Sequence, residues 1–359
     1  RDRGAQRDAR EPAVEKQRAR EADEREDRRH PNPFSRGAVR SLSREPQAVA
    51  FRAPYAAASM AVKVGMVGVG AMGEPMAASL LRAGFDVTVC AHRNREPVER
   101  LGVLGAHDGG DPAGVGASCD VVVTCVPDAP QVEDVLFGDR GAASGAQPGT
   151  LFIDMSTISP VATRAFDARL RALGYRFADA PVSGGPARAT TGTLTIMVGA
   201  WDADFAVAEP VLKAMGTPNH VGGVGMGEVV KLVNQIIISN TMIANIEALT
   251  FAAKAGADVD AVLGVIATAT GSNYLLQNWL PQSWLSGSHK PGFALDLLRK
   301  DLAAALDSAR AIGVPMPSSA LAYQMYTATS GEGHGRDDYS SVATFYERAA
   351  GVTVRKKAT

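Results

Sequence analysis

A chain of 359 residues is long enough for two or three domains, and 46% hydrophobic with 6% aromatic residues is ordinary for a globular protein. The formal net charge of −1 hides an asymmetry: residues 1–60 hold 14 basic and 10 acidic side chains, leaving 23 basic and 28 acidic for the rest, and so mildly acidic a body does not select nucleic acid as a partner. Three cysteines (Cys90, Cys119, Cys125), an odd number in or beside apolar runs, read as buried thiols in a reducing compartment, so a cytoplasmic protein without a metal is expected.

Residues 1–59 begin at Arg1 and run through Arg, Glu, Asp, Ala and Pro with little hydrophobic periodicity. Such a segment cannot bury enough surface to offset its ordering entropy. It is too acidic for a transit peptide and has no apolar core of a secretory signal. We expect a disordered or artefactual extension, with Met60 as the native start.

Ala61–Val67 is a short apolar run ending in Gly68-Val69-Gly70-Ala71-Met72-Gly73, after which an Ala- and Leu-rich stretch reaches Arg82. Strand, tight turn and helix are the context that a dinucleotide-binding glycine motif needs. Gly68 makes the turn, Gly70 lets the backbone approach a pyrophosphate, and Gly73 permits close packing of helix on strand. The bland alternative is an ordinary strand-to-helix turn. Gly84 ends the helix and Phe85–Cys90 supplies a second strand, which strengthens the dinucleotide reading. Beyond that strand an acid would bond a ribose 2′-hydroxyl, but the chain has Ala91 followed by His92, Arg93, Asn94 and Arg95. Arg93 and Arg95 suit a 2′-phosphate, so NADP(H) is favoured over NAD(H), against the alternative of a solvated basic loop.

Asp120–Val126, Thr150–Asp154 and Arg176–Asp179 are further strands, with helices such as Pro160–Leu173 between them. The alternation predicts a parallel, doubly wound sheet of the Rossmann type, whose ligands lie off the carboxyl ends of the strands. Three turns fall there, carrying Val126-Pro127, Ser156-Thr157 and Ser183-Gly184-Gly185. In the last, a serine followed by two glycines exposes a hydroxyl and backbone N–H groups that can hold a carboxylate, while a plain Gly-Gly turn remains the alternative. Gly192–Gly199 reads as another strand, followed by a helix to Met215.

From Gly222 to Gly256 a glycine-rich entry gives way to a long run without glycine or proline. It exceeds the roughly 10 residues of a strand, so we read one interdomain helix on the order of 40 Å long. Its faces are apolar nearly all round, which predicts deep burial, yet Lys231, Asn234, Gln235, Thr241 and Asn245 form a polar stripe that argues against a membrane span. Lys231 either snorkels from the first turn or is used. Beyond Gly256, helices over 258–267, 273–284, 295–311 and 318–329 predict an all-α second domain, with Lys300-Asp301 read as a solvated pair. The expected organisation is 1–59 extension, 60–222 dinucleotide-binding domain, 223–355 helical domain and 356–359 tail.

Taken in order, the glycine turn, the arginines, the Ser-Gly-Gly turn, the helix from Gly225 through Lys231 to Gln235, and the later Lys290-Pro291-Gly292-Phe293 and Lys300-Asp301-Leu302 resemble the β-hydroxyacid dehydrogenase family. The match covers nearly all of 61–355, and the Asn234-Gln235 pair is most similar to its tartronate semialdehyde reductase branch. The resemblance implies reduction of a small 2-hydroxy-3-oxo acid to D-glycerate, and the reverse oxidation of a β-hydroxyacid. It implies Lys231 as general acid and base, supported by Asn234 and Gln235. It implies Ser183, Gly184 and Gly185 at the substrate carboxylate, Lys300 at the edge of the nicotinamide and substrate pocket, and Ser156 and Thr157 on the cofactor side. A homodimer or homotetramer paired through the C-terminal domain follows, with no nucleic acid or membrane partner. One segment departs from the branch: Ala187-Arg188-Ala189-Thr190 stands where such reductases show a Gly-Ala pair, which leaves the exact substrate open. A 3-hydroxyisobutyrate-type dehydrogenase and a non-catalytic dinucleotide-binding protein are the other readings.

Overall fold

A computed structural model of the chain describes residues 62–290 and 292–356. The expectations for residues 1–59, for a start at Met60, for Pro291 and for the last three residues of the tail lie outside the described residues. One sheet of nine strands organises the first part: β1 (Lys63–Val67), β2 (Asp86–Cys90), β3 (His107–Asp108), β4 (Val121–Thr124), β5 (Leu151–Asp154), β6 (Arg176–Asp179), β7 (Val182–Ser183), β8 (Leu194–Ala200) and β9 (Gly216–Gly222). The order is β3-β2-β1-β4-β5-β6-β8-β7, with β9 on β8. The chain winds outward from β1 in both directions, so the crevice between β1 and β4 is the switch point at which such sheets bind ligands.

Both faces of the sheet are covered at its centre, which is why β4 and most of β1 and β5 are continuously apolar. Alternation along each strand sends Val64, Met66, Val121, Val123, Leu151 and Ile153 to one core and Val67, Val122, Phe152 and Phe177 to the other. The covering helices are α1 (Gly73–Arg82), α2 (Glu96–Val103), α3 (Pro112–Ser118), α4 (Ala129–Phe137), α5 (Ala142–Gly145), α6 (Pro160–Ala172), α7 (Gly185–Thr191) and α8 (Asp202–Lys213). The ladders from β3 through β6 are parallel as expected, but β8 runs antiparallel to both β6 and β7. Strands β6 and β7 pair with β8 in one continuous register, so the chain runs on from β6 into β7 and reverses only after Ser183, where α7 precedes β8.

The long helix α9 (Met226–Lys254) has 29 residues and ends at Gly256, whose φ of +85° suits a residue without a Cβ. Its second half joins α10 (Val259–Ile266), α11 (Leu295–Ala311), α12 (Pro317–Thr329) and α13 (Ala343–Ala350). These share a third core containing Met242, Ile246, Leu249, Trp284, Leu298, Leu302 and Tyr326. The start of α9 is held by Asp179 at the end of β6. Gly225 N–H donates to Asp179 Oδ1 at 2.6 Å, and Glu228 N–H to Oδ2 at 2.9 Å.

Three expectations change. The helix read over 273–284 is a π turn (Leu275–Trp279) followed by 3-10 turns (Leu280–Gln282 and Trp284–Ser286), because Pro281 supplies no N–H to continue a regular ladder. Strand β9 was not anticipated, since Gly216-Thr217-Pro218-Asn219 has the composition of a turn; an edge position tolerates it. Finally, α9 is not buried all round. Although long and apolar enough to cross a membrane by length and composition, it packs one side into the cores and leaves Val233, Ile237 and Phe251 exposed.

Candidate active site

The glycine turn after β1 separates packing from binding. At Gly68, with φ of +98°, an added Cβ would lie 2.4 Å from the Cys125 carbonyl oxygen, and at Gly73 one would lie 2.0 Å from the Gly68 carbonyl oxygen. At Gly70 nothing lies within 4 Å. Gly68 and Gly73 are thus fixed by the fold, whereas Gly70 leaves open backbone at the N-terminus of α1, the space a pyrophosphate needs. Val69 is buried, Met72 half-buried and Ala71 exposed, which completes the turn. The residues fit a dinucleotide.

His92, Arg93, Asn94 and Arg95 form an exposed loop after β2. Asn94 Oδ1 accepts the Glu96 N–H at 3.1 Å, and Arg95 is ion-paired with Asp108. Arg93 makes no hydrogen bond or ion pair among the described residues. Of the two arginines expected to meet a 2′-phosphate, Arg93 is therefore the available one.

The next two turns are tied together. Val126 N–H donates to Ser156 Oγ at 3.0 Å, with Pro127 exposed beside it; Ser156 N–H donates to Asp154 Oδ1 at 3.1 Å; and Lys300 Nζ donates to the Thr157 carbonyl oxygen. Lys300 is also ion-paired with Asp301 Oδ1 at 2.8 Å, and Asp301 is 2% exposed. The pair is not the solvated one its sequence suggests. It anchors α11 against the carboxyl end of β5.

Lys231 is 7% exposed, and its Nζ donates to the Val182 carbonyl oxygen at 2.8 Å, one residue before Ser183. A snorkelling lysine would have reached solvent; this one turns into the Ser183-Gly184-Gly185 segment. Gly184 and Gly185 have φ of +131° and +65°, and Gly185 faces the carbonyl of Gly292 from the helical part. Burial lowers the Lys231 pKa, Asp301 and Glu228 pull it back up, and Lys300 lowers it further. Asn234 and Gln235 do not touch the lysine. Asn234 Nδ2 donates to Gln235 Oε1 at 3.0 Å, and Gln235 Nε2 donates to Asp301 Oδ2 at 2.7 Å. Within the polar stripe, Asn234 and Gln235 form a chain of contacts from α9 into α11, whereas Asn245 pairs with Asn273.

Behind the lysine lies a group of acids that the sequence reading did not single out. Asp154, Asp179 and Glu228 are each at most 1% exposed. Burial pushes Asp179 up to about 7, while the backbone N–H groups of Gly225 and Glu228 hold it down. Glu228 is raised well above its ordinary value by burial first, then by Asp154 and Asp179, while a backbone hydrogen bond from Ile158 lowers it. A carboxylate buried among others is costly, which favours the neutral form of Glu228. The signal for Asp179 and Asp154 was an acid at the last residue of an apolar strand; Glu228 gave none, since a first-turn glutamate is ordinary on a helix.

Comparison with known proteins follows the same division. A family model described as the NAD binding domain of 6-phosphogluconate dehydrogenase matches residues 63–232, and one described as the NAD-binding of NADP-dependent 3-hydroxyisobutyrate dehydrogenase matches 225–346. An L-threonate dehydrogenase of Cupriavidus necator is 40% identical over 80% of this chain and 97% of its own length. A 2-hydroxy-3-oxopropionate reductase of Escherichia coli is 37% identical over 80% of this chain and 98% of its own. The solved 3-hydroxyisobutyrate dehydrogenase of Mycobacterium tuberculosis with L-serine superposes with a TM-score of 0.74 at 31% identity, over 80% of this chain and 99% of that one.

The neutral state of Glu228 has a measurable consequence. Between the ordinary carboxyl value of 4.5 and its raised folded value, the folded chain binds a proton that the unfolded chain has released. Stability of the wild type therefore falls as pH rises through that window. Glu228→Gln removes this slope, so its urea midpoint should gain on the wild type steadily above about pH 4.5. Parallel pH curves for the two proteins would mean that Glu228 is ionised in the fold.

Proposed function

This chain belongs to the β-hydroxyacid dehydrogenase family, NAD(P)-dependent oxidoreductases acting on CH–OH groups, and we propose that it reduces tartronate semialdehyde to D-glycerate and oxidises β-hydroxyacids in reverse, with NADP(H) preferred. The observation that carries the reading is the buried Lys231 Nζ held on the Val182 carbonyl oxygen, beside a serine and two left-handed glycines. The relative named 2-hydroxy-3-oxopropionate reductase supports the substrate. The one named for L-threonate supports a second reading with a longer hydroxyacid, and a substrate panel with both cofactors distinguishes them.

In this mechanism the substrate carboxylate lies on Ser183 and the Gly184 and Gly185 backbone, which brings its carbonyl oxygen to Lys231. Lys231 donates a proton to that oxygen during reduction and accepts one during oxidation. Gly68–Gly73, Arg93, Val126-Pro127 and Ser156-Thr157 would hold the dinucleotide, which when bound would supply or take up the hydride. Asn234 and Gln235 act through Asp301, fixing α11 and hence Lys300 at the edge of the pocket. Burial lowers the cost of deprotonating Lys231, which brings its two protonation states closer at neutral pH.

The same reading covers assembly. Exposed Val233, Ile237, Ala244, Ala248 and Phe251 recur at three-, four- and seven-residue spacing along one stripe of α9. A twofold dimer covering this stripe is proposed.

Lys231→Ala should lower kcat by about 10²–10⁴ while leaving NADPH binding nearly intact, whereas Ser183→Ala should act chiefly on KM for the acid. Near-normal turnover of every β-hydroxyacid by Lys231→Ala would sink the lysine mechanism. Arg93→Ala should raise KM for NADPH by about tenfold and leave KM for NADH nearly unchanged; equal effects would separate Arg93 from the 2′-phosphate. In sedimentation, Ile237→Asp together with Phe251→Asp should convert a dimer to monomer, and a wild type that is monomeric at micromolar concentration would contradict the proposed contact.

A further inference from the structure

The turn assigned above to the substrate carboxylate has a charge problem. Ser183, Gly184 and Gly185 offer only neutral donors, and an anion drawn out of water needs a cation or a dense set of hydrogen bonds. Around the turn, the obvious cations are committed. Lys231 must move a proton to and from the reacting oxygen, and its Nζ already donates to Val182 O. Lys300 is neutralised by Asp301 and bound to Thr157 O. Arg164 lies against Gly225, where its charge meets Asp179.

Arg188 is different. It lies three residues beyond the turn, on α7, and its aliphatic stem lies across the α-carbon of Gly184: a Cβ added at Gly184 would be 2.7 Å from Arg188 Cδ and 2.8 Å from its Cβ. Its guanidinium makes no hydrogen bond or ion pair among the described residues, and the side chain is exposed. The rest of α7 shows that this placement is not the by-product of packing on the other side. Ala189 is fully buried and its carbonyl accepts Ser79 Oγ of α1 at 3.1 Å, while Pro186 and Thr190 border a groove with Glu74 and Arg100. At about 100° per residue, Arg188 stands on the opposite side of α7 from Pro186 and Thr190. Gly184 is thus constrained twice, by its φ of +131° and by the arginine stem that any side chain there would displace.

We propose that Arg188 is the counter-charge of the substrate carboxylate, a specificity-determining residue that makes the Ser183-Gly184-Gly185 turn select a free acid over an amide or ester. The assignment rests on the hydroxyacid reading of the site given above. It predicts a KM effect, because a carboxylate anchor contributes alike in ground and transition states. Lys290 is the comparison cation: it is exposed, lies two residues before the Gly292 that faces Gly185, and its side chain makes no hydrogen bond or ion pair among the described residues.

The experiment has two arms. In the first, R188Q, R188K and K290Q are compared in steady state with the best hydroxyacid. R188Q should raise KM by about tenfold with kcat within about twofold, R188K should recover part of the loss, and K290Q should match the wild type. A KM unchanged in R188Q, or a fall in kcat at constant KM, overturns the proposal. The second arm needs no turnover: binding of lactate and of its neutral isostere lactamide to the enzyme with NADP bound is measured by calorimetry. The wild type should favour lactate by about tenfold and R188Q should not. If no hydroxyacid is turned over by the wild type, the proposed function fails while this arm still decides on Arg188. Discrimination surviving in R188Q, or none in the wild type, ends the assignment.

Discussion

The bond pair between Asp179 and the first turn of α9 is the constraint on which the site depends. One carboxyl group at the end of β6 accepts from both Gly225 N–H and Glu228 N–H, so it fixes the position and the rotation of the helix against the sheet. Three residues farther along each segment, α9 meets β7, where Lys231 Nζ donates to Val182 O. Two contacts on one helix set its register, and they leave little room. A Cβ at Gly199 would lie 2.5 Å from Asp179 Oδ1, and one at Gly227 would lie 2.4 Å from the Met197 carbonyl oxygen. The glycines around this joint allow backbone to approach a buried carboxyl group.

Such a joint concentrates ionisable groups in a place that water does not reach. Asp154, Asp179 and Glu228 lie at or near the carboxyl edge of the sheet, and Asp301 faces them from α11. Each costs desolvation; Asp154 raises the pKa of Asp179, and Asp154, Asp179 and Asp301 raise that of Glu228. The costs are met differently. Asp179 accepts two backbone N–H groups, Asp154 accepts from Thr124 Oγ1 and Ser156 N–H on one oxygen, Asp301 has Lys300 and Gln235, and at Glu228 burial favours the neutral form. A lysine next to this group feels Asp301 as its main attraction while burial works the other way, so its lowered pKa is the balance of the two.

How far the sequence discloses this depends on the range of each interaction. The glycine turn is legible because three glycines within six residues each meet a separate steric demand, and two of those demands are visible as contacts under 2.5 Å. The length of α9 is legible for a similar reason, since no strand runs so long. The Asp179 cap is not, because its partners stand 46 and 49 residues away and nothing local marks the acid as a helix cap. Lys300-Asp301 reads as a surface pair because adjacent charges on a helix usually are one; only the approach of Thr157 and Gln235, 143 and 66 residues distant, buries it. Pro281 was visible, yet its effect was misjudged: a helix read through a proline gave way to π and 3-10 turns.

The Val182 carbonyl has a further consequence for Lys231. An ammonium has three N–H donors and a neutral amine has two, so the bond to Val182 O is available to either protonation state. Nζ therefore need not move when it gains or loses a proton, and one N–H remains committed to the backbone throughout. Of the other positions on nitrogen, one can carry the transferred proton in the charged state or the lone pair in the neutral one. A carboxylate partner in place of that carbonyl would favour the ammonium and hold the proton back, whereas the acids nearest along the helix and sheet are a Glu228 whose neutral form is favoured and an Asp179 occupied with the helix end.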